Sequence, residues 1–378
     1  MNDLPRNFAL TLGAGGARAA YQVGVLRFLA RLFPDLCIPI LTGVSAGAIN
    51  TAFLANYTGR FADGTDRLRE LWQGLTLDRI FRSNAISLAM NVARWGMRLV
   101  SGGMQLSPPT RGLVDTAPLR SFLHGALGTT DGTLHGVAEN LRSGRLRSVG
   151  VTTTNYATGQ SVTWVQGERL SLWERPLRRG ESTTLAVDHV MGSCALPLFF
   201  PAIRIGPHWH GDGGVHLTAP LSPALHLGAE RIFAVSTRYL KSTREAEQPV
   251  TTGYPPPATV IGVLLNSVFL DMLDYDAMTL QRLNRLVVDL PEEKRMGLRQ
   301  IQLLVMRPSR DLEPLASEYE PALPRSFRFL IRGLGTRETT SPAMLATLLF
   351  TPDYIRRLIE IGEQDAEARK DEIVQFLS

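Results

Sequence analysis

A chain of 378 residues with 44% hydrophobic and 20% charged side chains is long enough for one large or two ordinary domains, and its composition excludes a disordered polypeptide. The net charge of +5 is carried mostly by scattered arginines without a dense basic block. That pattern argues against nucleic-acid binding and permits attraction to an anionic lipid surface. Two cysteines, Cys37 and Cys194, stand in apolar sequence, exclude a disulfide framework and read as buried thiols of a reducing compartment.

Residues 1–7 lack the basic-then-apolar layout of a signal peptide. No run reaches the roughly 18 apolar residues that would span a bilayer. The expectation is a soluble, cytoplasmic protein that touches membranes from one side at most.

Along the chain, Phe8 to Leu12 reads as a short buried strand. It enters Gly13-Ala14-Gly15-Gly16-Ala17-Arg18, and a helical pattern follows from Ala19 to about Phe33. Strand, glycine turn and helix together present free backbone N–H groups to negative charge. A dinucleotide site is one such use. Against it, Arg18 occupies the place of the third fingerprint glycine, and no acidic residue closes a second strand at the required distance.

Instead a second apolar run, Ile38 to Leu41, leads at once into Gly43-Val44-Ser45-Ala46-Gly47 and a helix to about Tyr57. A serine between glycines at a strand-to-helix junction is the pattern of a nucleophile elbow. The sharp turn lifts the side chain above the sheet edge, and its neighbours must be nearly bare. Parallel strands bring such turns to one edge, so the amides of Gly15 and Gly16, with that of Ala46, would face the atom that Ser45 attacks.

Further helices are expected at 65–74, 83–100 (with Arg94 and Arg98 one turn apart), 117–127 and 134–143, with a loop over 101–111. Leu146 to Thr154 and Gln160 to Val165 read as a hairpin-like pair. A short helix near Val187 to Cys194 precedes a strand at Ala202 to Ile205 and the turn His208-Trp209-His210-Gly211-Asp212-Gly213-Gly214. Taken alone, the Asp-Gly in that turn is ordinary turn chemistry.

Arg231 to Thr237 is a buried strand, and Lys241 to Pro257 a charged, Pro-rich loop. Then come a helix at 259–284, strands near Leu286 to Asp289 and at Gln300 to Met306, and helices at 341–350 and 353–376. The tail shows no chemistry of its own and is expected to pack on the core.

Three separated elements now stand together: the glycine turn with Arg18, the Gly43–Gly47 elbow, and Asp212-Gly213-Gly214. With them go the stretches Arg18 to Leu26, Asp115 to Leu119, and Ser193 to Pro201. In this order the sequence resembles the patatin-like phospholipases, lipid acyl hydrolases with a Ser–Asp dyad. The resemblance covers roughly residues 6–240.

It implies an α/β fold with three α/β/α layers and a mostly parallel central sheet. The division expected is a hydrolase domain over 1–310 and a mainly helical C-terminal extension over 311–378. It implies Ser45 as nucleophile, Asp212 as general base and acid, Gly15 and Gly16 as oxyanion glycines, and Arg18 as their supporting basic residue. Gly13, Gly43, Gly47, Gly213 and Gly214 are the motif glycines. Ala14 and Ala19 replace two family glycines, and Ala14 would be unfavourable if that position needed positive φ.

The implied substrate is a phospholipid or lysophospholipid ester, with no cofactor, no metal and no nucleic acid. The alternatives are a Ser–His–Asp esterase drawing on His189, His208, His210, His216 or His226, and a catalytically silent lipid-binding protein. Candidate apolar walls for an acyl chain are the 83–100 helix, Phe199, Phe200 and the segment 258–270.

Overall fold

The computed structural model describes residues 4–82, 112–168, 172–247, 254, 257–324, 328 and 342–378. The expected helix at 83–100 and loop at 101–111 lie outside the described residues.

The strands are β1 (Phe8–Leu12), β2 (Ile40–Val44), β3 (Ser148–Asn155), β4 (Ser161–Gly167), β5 (Glu174–Arg175), β6 (Arg178–Ser182), β7 (Ile203–Ile205), β8 (His208–Asp212), β9 (Arg231–Val235) and β10 (Gln302–Met306). They form a single sheet in the order β10-β9-β1-β2-β3-β4-β6-β5, with β8 also pairing to β3 and β7 to β8. The run from β10 to β3 is parallel. β4 returns antiparallel to β3, as the hairpin pattern requires.

Both faces of the parallel core are covered, which is why β1, β2 and β3 are buried along their whole length. Alternation decides which core each residue joins. In β1, Phe8, Leu10 and Leu12 enter one apolar cluster, while Ala9 enters a second on the opposite face. In β9, Phe233 and Val235 join the first, Ile232 and Ala234 the second.

Helices α1 (Ala20–Leu32), α2 (Ala46–Asn56), α3 (Phe61–Gln73), α4 (Ala117–Ala126), α5 (His135–Arg142) and α6 (Val187–Ser193) belong to the first face. The longer helices after β9 among the described residues are α7 (Pro257–Phe269), α8 (Asp271–Asp289), α9 (Leu312–Tyr319), α10 (Pro342–Leu348), α11 (Pro352–Ala368) and α12 (Lys370–Leu377). Of these, α8 covers the second face through Leu273, Ala277 and Leu280.

Several expectations are corrected. No strand exists at Leu286–Asp289, which is the last turn of α8. Leu273, Ala277, Leu280 and Val287 share one helical stripe, and that periodicity outweighs the local β preference of Val287-Val288. The single helix expected over 259–284 breaks at Leu270. A new helix starts there with Asp271 and Asp274 in its first turn, where Arg238 pairs with Asp271 and Arg307 with Asp274. The helix expected over 353–376 breaks at Arg369, whose guanidinium donates to the carbonyl of Val305 in β10 at 2.8 Å. Within the expected loop at 241–257, Ser242 and Glu245 close a capping box on a short helix, Thr243–Ala246. Cys194 is buried, but Cys37 is only half-buried.

α11 packs lengthwise on α1 because two glycines face each other at the crossing. A Cβ on Gly24 would lie 2.0 Å from the carbonyl oxygen of Ile359 and 2.9 Å from the Cα of Gly362. Overpacking of this kind costs about 1–3 kcal/mol. Gly24→Val is expected to lower the unfolding free energy by that amount, read as a lower urea midpoint with the slope unchanged, and a wild-type midpoint would show that the two helices are not in close contact.

Candidate active site

Ser45 follows the last residue of β2 and caps α2 with φ 55° and ψ −133°, a strained conformation for a residue with a side chain. Its environment over-determines it. The Ser45 N–H donates to Ser193 Oγ at 2.9 Å, Ser193 Oγ donates onward to the carbonyl of Thr152 at 2.6 Å, and the Cys194 thiol donates to the carbonyl of Ser45 at 3.0 Å. The stretch 193–194, distant in sequence, therefore grips both sides of the elbow. Gly43 lies in β2, and Gly47 lies in the first turn of α2, so close to the backbone of Leu12 and Gly13 that no side chain fits.

Asp212 reaches the same point through the sheet. Val44 of β2 pairs with Thr152, and Asp212 of β8 pairs with the next residue, Thr153, on the strand that both share. The result is a hydrogen bond from Ser45 Oγ to Asp212 Oδ2 at 2.7 Å. The other carboxyl oxygen accepts from the Gly214 N–H at 2.9 Å, and the backbone of Asp212 is held by Thr154 and Ala195. Gly213 and Gly214 form a single 3-10 turn after it, with Gly213 against the carbonyl of Thr152. Asp212 is only 1% exposed. Burial raises its pKa to about 7, outweighing the two hydrogen bonds that favour the anion.

His210, His189 and His226 are engaged elsewhere. His210 Nδ1 lies 3.0 Å from Thr153 Oγ1, and burial lowers its pKa to about 4. His189 Nδ1 accepts from the Ala186 N–H, with its pKa also lowered by burial to about 4. His226 stacks on Trp173. Among the described residues, the buried His216 Nδ1 has no hydrogen-bond partner. Among the described residues no group of three or more His, Cys, Asp or Glu side chains converges as a metal site.

The glycine loop is built by fixing its carbonyls. In a trans peptide the C=O and the following N–H point in opposite directions, so holding one aims the other. Gln22 Nε2 donates to the carbonyl of Gly13 at 2.7 Å, Thr237 Oγ1 to that of Ala14 at 2.7 Å, and Arg18 Nε to that of Gly15 at 3.3 Å. The N–H groups of Ala14, Gly15 and Gly16 are thereby directed away from these donors. Gln22 is itself held by Asn50, and Asn50 by the Trp72 indole N–H. The left-handed residue is Gly16, at φ 56°, so Ala14 carries none of the expected penalty.

Ser45, Ala46, Gly15, Gly16, Arg18 and Asp212 all border one cleft of about 740 Å³. Its remaining wall is mostly apolar: Ile49, Trp72, Leu75, Ile80, Leu119, Phe122, Leu196, Phe200, Leu265 and Phe269, among others. Of the expected wall, Phe200 and two residues of α7 are present, while Phe199 packs against the core. The tail, expected to contribute no chemistry, supplies Thr347, Leu348 and Phe350. Sequence reasoning missed Thr237, Glu313 and Thr347, which carry no motif. Gln22 stood within a stretch already singled out, its role unread.

The family model described as patatin-like phospholipase matches residues 10–225, more than half of the chain. The chain belongs to the patatin-like phospholipase family. No curated protein matches its sequence. Among solved structures, this patatin-like chain is similar to human GIVD cytosolic phospholipase A2 in complex with methyl γ-linolenyl fluorophosphonate, at 15% identity and a TM-score of 0.45. The alignment covers 100% of this chain and 59% of that one, so the chain spans well under the full length of that relative. It is also similar to VipD from Legionella pneumophila, at 13% identity and a TM-score of 0.38, covering 99% of this chain and 67% of that one.

A carboxyl whose pKa is about 7 when folded and about 4 when unfolded binds more protons in the native state between those values. The contribution of Asp212 to stability should therefore fall as pH rises from 4 to 7, by as much as about 4 kcal/mol. Asp212→Asn removes this dependence. The melting temperature of the variant relative to wild type should climb across pH 4–7 and level off above it, and a pH-independent difference would contradict the shift.

Proposed function

We propose that the protein is a serine lipid acyl hydrolase that cleaves carboxylic ester bonds of phospholipids or lysophospholipids with a Ser45–Asp212 dyad. The observation that carries this reading is the 2.7 Å hydrogen bond between Ser45 Oγ and Asp212 Oδ2 at the polar end of an apolar cleft. A free serine hydroxyl is a weak nucleophile and needs an adjacent base. Asp212 accepts the Ser45 proton on Oδ2 as Oγ bonds to the ester carbonyl carbon, and the carbonyl electron pair moves to oxygen. The N–H groups of Gly15, Gly16 and Ala46 receive that oxyanion, with Arg18 supporting the loop. Each such donor is worth on the order of 2.7–4 kcal/mol in a comparable site. When the intermediate collapses, Asp212 returns the proton to the departing alcohol. It then takes a proton from water as the water oxygen bonds to the acyl carbon, and returns that proton to Ser45 Oγ as the bond from Oγ to the acyl carbon breaks and the fatty acid leaves.

Burial suits Asp212 to this work. A carboxylate of ordinary basicity would hold a proton too weakly, whereas one near 7 is matched to neutral solution. The Ser–His–Asp alternative lacks an intermediary, because Ser45 Oγ donates directly to Asp212 Oδ2 with no histidine between them. Among the described residues no helix is long and apolar enough to cross a membrane. We further propose that the protein acts in the cytoplasm, in peripheral contact with a lipid surface.

Ser45→Ala and Asp212→Asn should each lower kcat for lysophospholipid hydrolysis by about 10³-fold or more, measured as fatty-acid release. Labelling by a fluorophosphonate should be lost in Ser45→Ala. For wild type, kcat/KM should rise with pH and reach half its plateau near pH 7, because the ionised carboxylate is the active base. Full activity in Asp212→Asn, or a wild-type protein that neither labels nor hydrolyses, would remove the proposal.

A further inference from the structure

We infer that Thr347 and Glu313, which lie outside residues 10–225, are positioning residues that aim the N–H of Gly16 by holding Arg18 in place. The inference rests on the hydrolase reading for its catalytic consequence, but its geometry stands apart from it. Arg18 is 3% exposed and borders the cleft beside Ser45. A buried guanidinium is costly unless its donors are matched, and burial lowers its pKa, against the opposing pull of Glu313.

Its three donor groups are divided among three elements. Nε donates to the carbonyl of Gly15 at 3.3 Å, Nη1 to Glu313 Oε1 on α9 at 3.4 Å, and Nη2 to Thr347 Oγ1 on α10 at 2.9 Å. The planar guanidinium makes these directions interdependent. Fixing Nη1 and Nη2 from the C-terminal helices fixes Nε, and Nε holds the carbonyl whose peptide carries the Gly16 N–H.

Two further contacts show that the arrangement is built around this junction. The Thr347 hydroxyl, which accepts from Arg18, donates its own proton to the carbonyl of Ala343 at 2.9 Å. Its lone pair is therefore presented to Arg18 in a set direction. The backbone of Thr347 also lies against Gly16 so closely that a Cβ on Gly16 would stand 2.3 Å from the Thr347 carbonyl oxygen. Glu313 is oriented in turn by Asn266 of α7, which donates to the same Oε1 at 2.6 Å. The loop that receives the oxyanion is thus seated on the C-terminal helices.

Thr347→Val keeps the shape and removes the acceptor, while Thr347→Ser restores it. Oxyanion donors act in the transition state, so Thr347→Val should lower kcat at least tenfold with KM within twofold of wild type. Thr347→Ser should recover most of the loss, and Glu313→Gln should lower kcat in the same direction. Independently of turnover, amide hydrogen exchange over residues 13–18 should quicken at least tenfold in Thr347→Val and Glu313→Gln, with the rest of the sheet unchanged.

Wild-type kcat and exchange in both variants would overturn the inference. So would an effect on KM alone, or a Thr347→Ser variant as impaired as Thr347→Val. If the wild-type protein hydrolyses no ester, the proposed function fails, and the exchange measurement still decides this one. If Thr347→Val does not fold, Glu313→Gln reports on the same guanidinium.

Discussion

Everything at the candidate site depends on a register shared across one strand. β3 pairs with β2 through Thr152 and with β8 through Thr153, so Val44 and Asp212 are placed at consecutive positions along a single backbone. Side chains alternate with a period of two, and a slip of one residue in β8 would turn Asp212 to the other face of the sheet. The 2.7 Å contact between Ser45 and Asp212 is therefore set by hydrogen-bonded backbone as much as by the two side chains. The same strand also holds the elbow, since the Thr152 carbonyl receives the Ser193 hydroxyl that binds the Ser45 N–H.

Around this register the molecule concentrates features that a stable fold alone does not need. Ser45 carries positive φ, Asp212 is a carboxyl kept almost wholly from water, and Arg18 is a buried cation. Each is unfavourable in isolation and is held by partners from several elements. The glycine loop follows the same logic: three successive carbonyls are engaged by Gln22, Thr237 and Arg18, so the amides have little freedom left to reorganise. Preorganised dipoles stabilise charge without the cost of turning at the moment of reaction. A mostly apolar cleft lies beside this loop.

How far the sequence could be read followed from the range of each interaction. The turns at Gly13–Arg18 and Gly43–Gly47 were legible because a strand, a glycine-rich turn and a helix are local events with local signatures. Val287-Val288 misled because two β-branched residues suggest a strand, whereas their burial is decided by the stripe from Leu273 onward. The helix breaks at Leu270 and Arg369 were hidden for a related reason. Each coincides with polar partners from the sheet edge: Arg238 and Arg307 at the first, the Val305 carbonyl at the second.

The sequence by itself determined the family, the layered α/β architecture and the short list containing Ser45, Asp212, Gly15, Gly16 and Arg18. It could do so because nucleophile elbows and glycine turns need particular residue types at fixed spacing. Only the tertiary structure decided that Ser45 and Asp212 share a hydrogen bond across 167 positions, that His189 and His210 bond to other groups, and that Arg18 is held by Glu313 and Thr347. A carboxylate, a threonine hydroxyl and a helix end have no spacing rule that announces them. Their roles arise when the sheet closes and the C-terminal helices come to rest on the glycine loop.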